Sequence, residues 1–225
     1  MKILMTTDTV GGVWTYSLNL ARALRDFNVE VILAAQGLPT EDQWEAARRI
    51  DNLMLLAADY KLEWMDEPWQ DVEASGEWLL DIAALEQPDV VHLNDYSHGN
   101  LPWKTPVLIV GHSCVLSWFD QVRNQPAGDE WDRYRQQVRQ GLLGADYVVT
   151  PTRQMGQYLV DFYGPLQRQS TIYNGMDGPT NAADQRSPFI FAAGRAWDEA
   201  KNITALDEAA ADVPWPIRVA GIPFP

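Results

Sequence analysis

Two adjacent glycines, Gly11 and Gly12, stand between a short apolar run, Lys2-Ile3-Leu4-Met5-Thr6-Thr7, and a helical pattern. Paired glycines let a backbone approach a ligand where a Cβ would block it. A helix start just beyond them offers unbonded N–H groups and a positive dipole end to an anion. The dinucleotide fingerprint Gly-x-Gly-x-x-Gly is absent, so a tight turn with no ligand accounts for the pair equally well. His92, Asn94 and Asp95 close one apolar segment, and His112 closes another. Arg195 and Lys201 flank an acidic pair, Asp198-Glu199, which on spacing alone reads as a solvated helix start with i,i+3 pairing such as Asp198 with Lys201. His92, Asp95 and His98 lack the helical His-x-x-x-His spacing of a metal site and read as ordinary loop polarity. Cys114 follows His112-Ser113, but neighbours in a loop rarely present both side chains to one substrate. Ser113 lies in no Gly-x-Ser-x-Gly elbow, which argues against a hydrolase.

These residues need elements to position them. After the opening apolar run, Val13, Leu20 and Leu24 fall on one helical stripe, with Trp14, Leu18 and Ala21 beside it. Strand, glycine turn and helix open a parallel α/β unit. Strands are then predicted over 29–35, 53–58, 88–94, 106–110, 145–150 and 170–173. Helices are predicted over 41–49 with Thr40 as cap, over 73–85 on the spacing of Trp78, Ile82 and Leu85, across Trp131, Tyr134, Val138 and Leu142, and from Thr152 to Tyr163. Residues 59–71, mixed in charge and rich in aromatics, read as a surface excursion. In open α/β sheets ligands bind beyond the carboxyl ends of the strands, which puts His92, Asn94, Asp95 and His112 at the rim where chemistry would occur. A cluster of Gly, Pro, Asn, Asp and Ser beyond residue 175 reads as a linker. A strand over 189–193, a helix over 202–211 and a strand over 217–221 then form one β-α-β unit. One helix cannot cover both faces of such a sheet, so the sequence resembles one complete domain joined to the first quarter of another.

Composition narrows the function. The chain has 225 residues and is 46% hydrophobic, enough for a real core. A net charge of −14 argues against nucleic acid and against an anionic membrane surface. The single cysteine excludes an internal disulfide framework and any multi-cysteine metal site. No signal-peptide pattern opens the chain and no apolar run approaches the length of a membrane span, so the cytoplasm is the simplest compartment. The ten tryptophans suit core packing or groove walls, and Trp14 and Trp118 lie close in sequence to the two candidate loops.

In their order and spacing, several motifs resemble the retaining glycosyltransferases of family 4, which have the GT-B architecture. They are Gly11-Gly12, Asp89-Val90-Val91-His92, Gly111-His112-Ser113, Ile172-Tyr173-Asn174-Gly175-Met176-Asp177, and Gly194-Arg195 followed by Lys201-Asn202. The resemblance implies a Rossmann-like parallel sheet with helices on both faces as an acceptor-side domain over 1–178. A linker over 179–188 and the start of a donor-binding domain over 189–225 would follow. It implies transfer of a sugar from a nucleotide-sugar donor to a sugar, lipid or small-molecule acceptor, with retention of configuration and no bound metal or other cofactor. By that likeness His112 touches the transferred sugar as the catalytic residue. Gly11 and Gly12 lie near the donor phosphates, and Arg195 and Lys201 hold the diphosphate. By position alone, beside the candidate loops and at the strand rim, Trp14, Asn94, Asp95 and Trp118 are candidates for the wall of an acceptor groove, and helix and loop packing accounts for the two tryptophans at least as well. Family members also carry a Glu-x7-Glu element deep in the second domain, and this chain ends before it could occur. The alternative is therefore a truncated or split sugar- or partner-binding module, completed by a C-terminal half or by a second copy of the chain.

Overall fold

The computed structural model describes residues 1–175 and 187–221. Met176, Asp177 and the linker expected over 179–188, as far as residue 186, lie outside the described residues. The chain folds as two units, residues 1–117 with 126–176, and residues 118–125 with 177–225.

The first unit is built on seven parallel strands: β1 (Lys2–Asp8), β2 (Glu30–Gln36), β3 (Leu53–Ala58), β4 (Val90–Leu93), β5 (Val107–Val110), β6 (Tyr147–Thr150) and β7 (Gln169–Thr171). Their spatial order is β3-β2-β1-β4-β5-β6-β7. Its helices are α1 (Gly12–Leu24), α2 (Glu41–Arg48), α3 (Trp69–Glu86), α5 (Asp132–Gly144) and α6 (Arg153–Tyr163), while α4 (Val115–Arg123) begins in this unit and has its residues from Trp118 onward in the second. The chain first winds outward from β1 to β3, then α3 returns it to β4 on the other side of β1. That reversal makes the gap between β1 and β4 the topological switch point, where ligands bind in sheets of this kind.

Side-chain alternation gives the sheet two apolar faces. Ile3 and Met5 of β1, with Val31, Leu33 and Ala35 of β2, pack against Trp14, Leu18 and Ala21 of α1 and Ala47 of α2. Leu4, Ile32 and Ala34 point the other way, against Leu79 and Ile82 of α3. The buried stripe of α1 is thus Trp14, Ser17, Leu18 and Ala21, while Val13, Leu20 and Leu24 are half-buried at its margin. Thr40 caps α2 as predicted, in a reciprocal capping box with Gln43. Thr152 caps α6, and Gly164 ends it at φ +94°, in the region that favours glycine.

Three expectations need correction. Helix α3 begins at Trp69 rather than 73, and its buried residues are Val72, Ser75, Gly76, Leu79 and Ile82, with Leu85 80% exposed. Residues 59–71 are not a pure surface excursion, because Leu62 and Glu63 are buried. Helix α4 formed where no element was predicted.

The second unit holds the parallel pair β8 (Ile190–Ala193) and β9 (Ile217–Ala220), in register from Ile190 with Ile217 to Ala193 with Ala220. A 3-10 turn at Glu199–Lys201 and helix α7 (Ile203–Ala209) lie between them in sequence. Among the described residues no helix is long and apolar enough to cross a membrane.

Candidate functional site

The carboxyl end of β1 is polar and buried. Thr6 and Thr7 are almost without solvent contact, so each hydroxyl must find a partner inside the fold. Thr6 Oγ1 donates to Asp95 Oδ2 (2.8 Å) and accepts from the Asn94 backbone N–H (2.8 Å). Thr7 Oγ1 accepts from Ser17 Oγ on α1 (3.2 Å). Asp8, the last residue of β1, accepts from the backbone N–H groups of Val10 (2.8 Å) and Gly11 (2.9 Å), which folds the glycine turn.

The glycine pair is open. Gly11 is the N-cap of α1, which has no side-chain cap bond and no acidic residue in its first turn. A Cβ on Gly12 would meet nothing within 4 Å, and one on Gly11 only Asp8 Oδ1 at 3.9 Å. Neither position has the positive φ that favours glycine. Packing within the described chain therefore gives no steric reason for either glycine. Gly141 is the opposite case: a Cβ there would collide with the Tyr96 carbonyl, where the loop after β4 presses on α5.

Next to the glycine turn across the switch point, the β4 end carries His92, Asn94 and Asp95. His92 is buried within the strand, and its Nε2 has no hydrogen-bond partner among the described residues. Burial pushes its pKa down to about 4, so it is an uncharged imidazole. The Asn94 side-chain amide donates to the Thr6 carbonyl (2.6 Å) and accepts from His112 Nε2 (2.8 Å). Asp95 bonds His98 Nδ1 (2.6 Å), and the other ring nitrogen of His98 donates to the Val72 carbonyl (3.1 Å). Burial opposes charge on His98, but the Asp95 carboxylate and these bonds outweigh it and raise its pKa to about 9. Burial likewise opposes the charge on Asp95, and the His98 cation and the bonds from His98 and Thr6 hold the carboxyl below its ordinary value. Asp95 is thus spent on Thr6 and His98 and has little surface left for a groove. Its geometry with His98 is an ion pair, and among the described residues no three His, Cys, Asp or Glu side chains are placed to hold a metal.

His112 follows β5 and is half-buried. Burial lowers its pKa to about 4, so the ring is neutral at physiological pH. Tyr16 of α1 meets it edge to face, ring centroids 4.6 Å apart. The loop beyond is fixed by Tyr96, whose hydroxyl donates to the Ser113 carbonyl (3.0 Å). Cys114 is buried and turns to Ser117, its thiol 3.1 Å from Ser117 Oγ.

The structure thus brings together Gly11, Gly12, Asn94 and His112 on the carboxyl edge of one sheet. Trp14 is buried in the core beneath α1, so its ring packs against the sheet and lines no open groove. Trp118, Arg195 and Lys201 belong to the second unit. There Arg123 lies over the Trp118 ring at 4.9 Å and pairs with Glu199 at 2.9 Å. Arg195 pairs with Asp198 (2.8 Å) and lies over Trp197. The acidic residue therefore takes the arginine as partner rather than Lys201, whose stem runs beside Gly194.

Sequence reasoning missed Thr6, Tyr16 and Glu63. Tyr16 stands four residues after Gly12, a helical spacing that places both on one face. The buried Glu63 carboxylate accepts the backbone N–H of Ser97 (2.7 Å) and of Tyr96. Burial and the Asp95 charge push its pKa up to about 7. No local pattern marks it.

Known proteins bear on this arrangement. The model of Glycosyltransferase Family 4 matches residues 10–178. A glycosyltransferase from Rickettsia africae is similar in structure over 98% of this chain and 68% of its own, with a TM-score of 0.64 at 12% identity. A sucrose-phosphate synthase from Thermosynechococcus elongatus superposes at a TM-score of 0.70 and 15% identity, over 98% of this chain and 62% of its own. A UDP-glucosyltransferase from Polygonum tinctorium gives 0.53 at 9% identity, covering 99% of this chain and 70% of its own. At these identities the likeness is one of fold: the seven-stranded sheet and its helices are those of a GT-B N-terminal domain. The chain spans less than two thirds of the length of the sucrose-phosphate synthase. No curated protein matches the chain.

Proposed function

The chain belongs to Glycosyltransferase Family 4, and from that membership we propose that it takes part in transferring a sugar from a nucleotide-sugar donor to an acceptor, with retention at the anomeric carbon and without a bound metal. The observation that carries the reading is a neutral, half-buried His112 on the same sheet edge as a helix start that is uncapped and opened by two glycines. Breaking a sugar–phosphate bond leaves negative charge on a diphosphate. Backbone N–H groups at the α1 terminus stabilise that charge as it grows. An uncharged imidazole can hydrogen-bond a sugar hydroxyl without drawing the diphosphate to itself. Within the second unit, Arg195 and Lys201 are cations of the kind that hold phosphate oxygens. Arg195 would exchange its Asp198 partner for phosphate oxygens, a bidentate contact that its planar fork suits.

Calorimetric titration with UDP-, GDP- and ADP-glucose tests this reading. One donor should bind, and Arg195→Ala with Lys201→Ala should weaken it by about tenfold or more, the scale of one charge-assisted phosphate contact. Undiminished affinity in the double variant would remove those two residues from the site. Failure of all three donors to bind would overturn the donor reading.

A further inference from the structure

We infer that Asn94 is a positioning residue for the proposed transfer, holding the His112 imidazole in its Nε2–H tautomer so that Nδ1 is the nitrogen offered to a ligand as a hydrogen-bond acceptor. The inference rests on the glycosyl-transfer reading for its purpose, but its geometry stands on hydrogen-bond direction alone.

The chain of direction starts at Asp95. An ionised carboxylate only accepts. The single hydroxyl hydrogen of Thr6 therefore points at Asp95 Oδ2, 2.8 Å away. A lone pair of Thr6 Oγ1 is left for the Asn94 backbone N–H at 2.8 Å, which seats Asn94 on β1. The Thr6 backbone carbonyl also only accepts, and the Asn94 side chain approaches it to 2.6 Å. If the amide were turned over, two oxygens would face each other at that distance. The nitrogen must therefore face Thr6, where Ser17 Oγ at 3.4 Å is a second acceptor for it. The amide oxygen is then committed to His112 Nε2 at 2.8 Å. That oxygen only accepts, so Nε2 must carry a hydrogen. In a neutral imidazole the other nitrogen then holds the lone pair.

The Tyr16 contact sets the plane of the His112 ring but cannot tell its two nitrogens apart. Among the described residues only Asn94 does so. The device resembles the way outer partners fix the tautomer of a metal-bound histidine, with a substrate hydroxyl in place of the metal. A sugar hydroxyl donating to Nδ1 would find its acceptor already aimed, with no tautomer exchange to complete before binding.

The test is a long-range proton–nitrogen spectrum of ligand-free protein labelled with 15N-histidine, recorded near neutral pH. The chain has three histidines, so the His112 signals are identified by their loss in His112→Ala. Wild-type protein should show His112 as a single neutral Nε2–H tautomer, and Asn94→Ala should convert it to an average of both tautomers. A wild-type Nδ1–H tautomer, a wild-type average, or an unchanged single tautomer in Asn94→Ala would each overturn the inference. If Asn94→Ala does not fold, the wild-type spectrum still decides, and Asn94→Ser supplies the comparison. The measurement contains no donor, so failure of donor binding and failure of the tautomer are read separately.

Discussion

Gly12 and His112 sit on one sheet edge under different constraints. A Cβ at Gly12 has open space around it, and glycine, which costs about 1 kcal/mol against alanine in a helix interior, brings no helix-forming advantage to the first residue of α1. Stability alone would favour a side chain there. Gly12→Ala should leave the melting temperature unchanged or raised, yet reduce nucleotide-sugar affinity by about tenfold, since a methyl would stand where phosphate oxygens approach. Unchanged affinity would reduce the glycine pair to a turn. At His112, burial holds the ring neutral, and the neighbouring Tyr16 phenol is pushed up to about 12 by burial, so it is neutral as well. Both side chains present hydrogen-bonding groups and no charge. The rim positions of Gly11, Gly12 and His112 were legible from sequence because a glycine pair and a polar residue after an apolar run mark strand ends locally. Thr6 and Glu63 were not, because what makes each matter is a partner about ninety or thirty residues away.

Elements were legible wherever burial followed a period. Both faces of β1 and β2 are covered, and each reads as a nearly continuous apolar run. Helix α3 was misplaced because its buried face includes Ser75 and Gly76. These are small so that His98 and Leu101 can come close: a Cβ on Gly76 would sit 3.3 Å from Leu101 and 3.4 Å from His98. A hydrophobicity pattern passes over such a face and settles on Leu85, which points to solvent. Helix α4 begins without the Ser, Thr, Asp or Asn that usually signals a helix start. Cys114 serves instead, its sulfur accepting from the Ser117 backbone N–H at 3.4 Å. The buried part of 59–68 is held by the Glu63 carboxylate, a tertiary cause with no local trace.

At the scale of the molecule, the first unit encloses its sheet on both faces, whereas Phe191, Trp215 and Val219 of the second are 61%, 53% and 47% exposed. The ionised cluster inside the first unit ties stability to pH. His98 has a folded pKa near 9 against an ordinary 6.5. Its contribution is fully present below about pH 6.5 and is lost as pH rises through 9, with a slope of about 1 kcal/mol per unit. Glu63 acts lower: its raised pKa makes stability fall with rising pH between 4.5 and about 7. His92 and His112, both depressed, make it rise between about 4 and 6.5. The interval from about 7 to 9 therefore belongs to His98 among these groups. Chemical denaturation across that interval should show declining stability in the wild type and a flatter profile in His98→Gln. Parallel profiles would mean that His98 is not held as a cation.

The central claim, a sugar-donor site at the carboxyl edge of the first unit beside a neutral His112, is tested most directly by following the His112 ring nitrogens while UDP-, GDP- and ADP-glucose are added to 15N-histidine-labelled protein. One donor should shift the His112 Nδ1 signal saturably, while His98, in the buried ion pair, stays still. A donor that binds by calorimetry but leaves His112 unmoved, or no response to any of the three, would contradict the account.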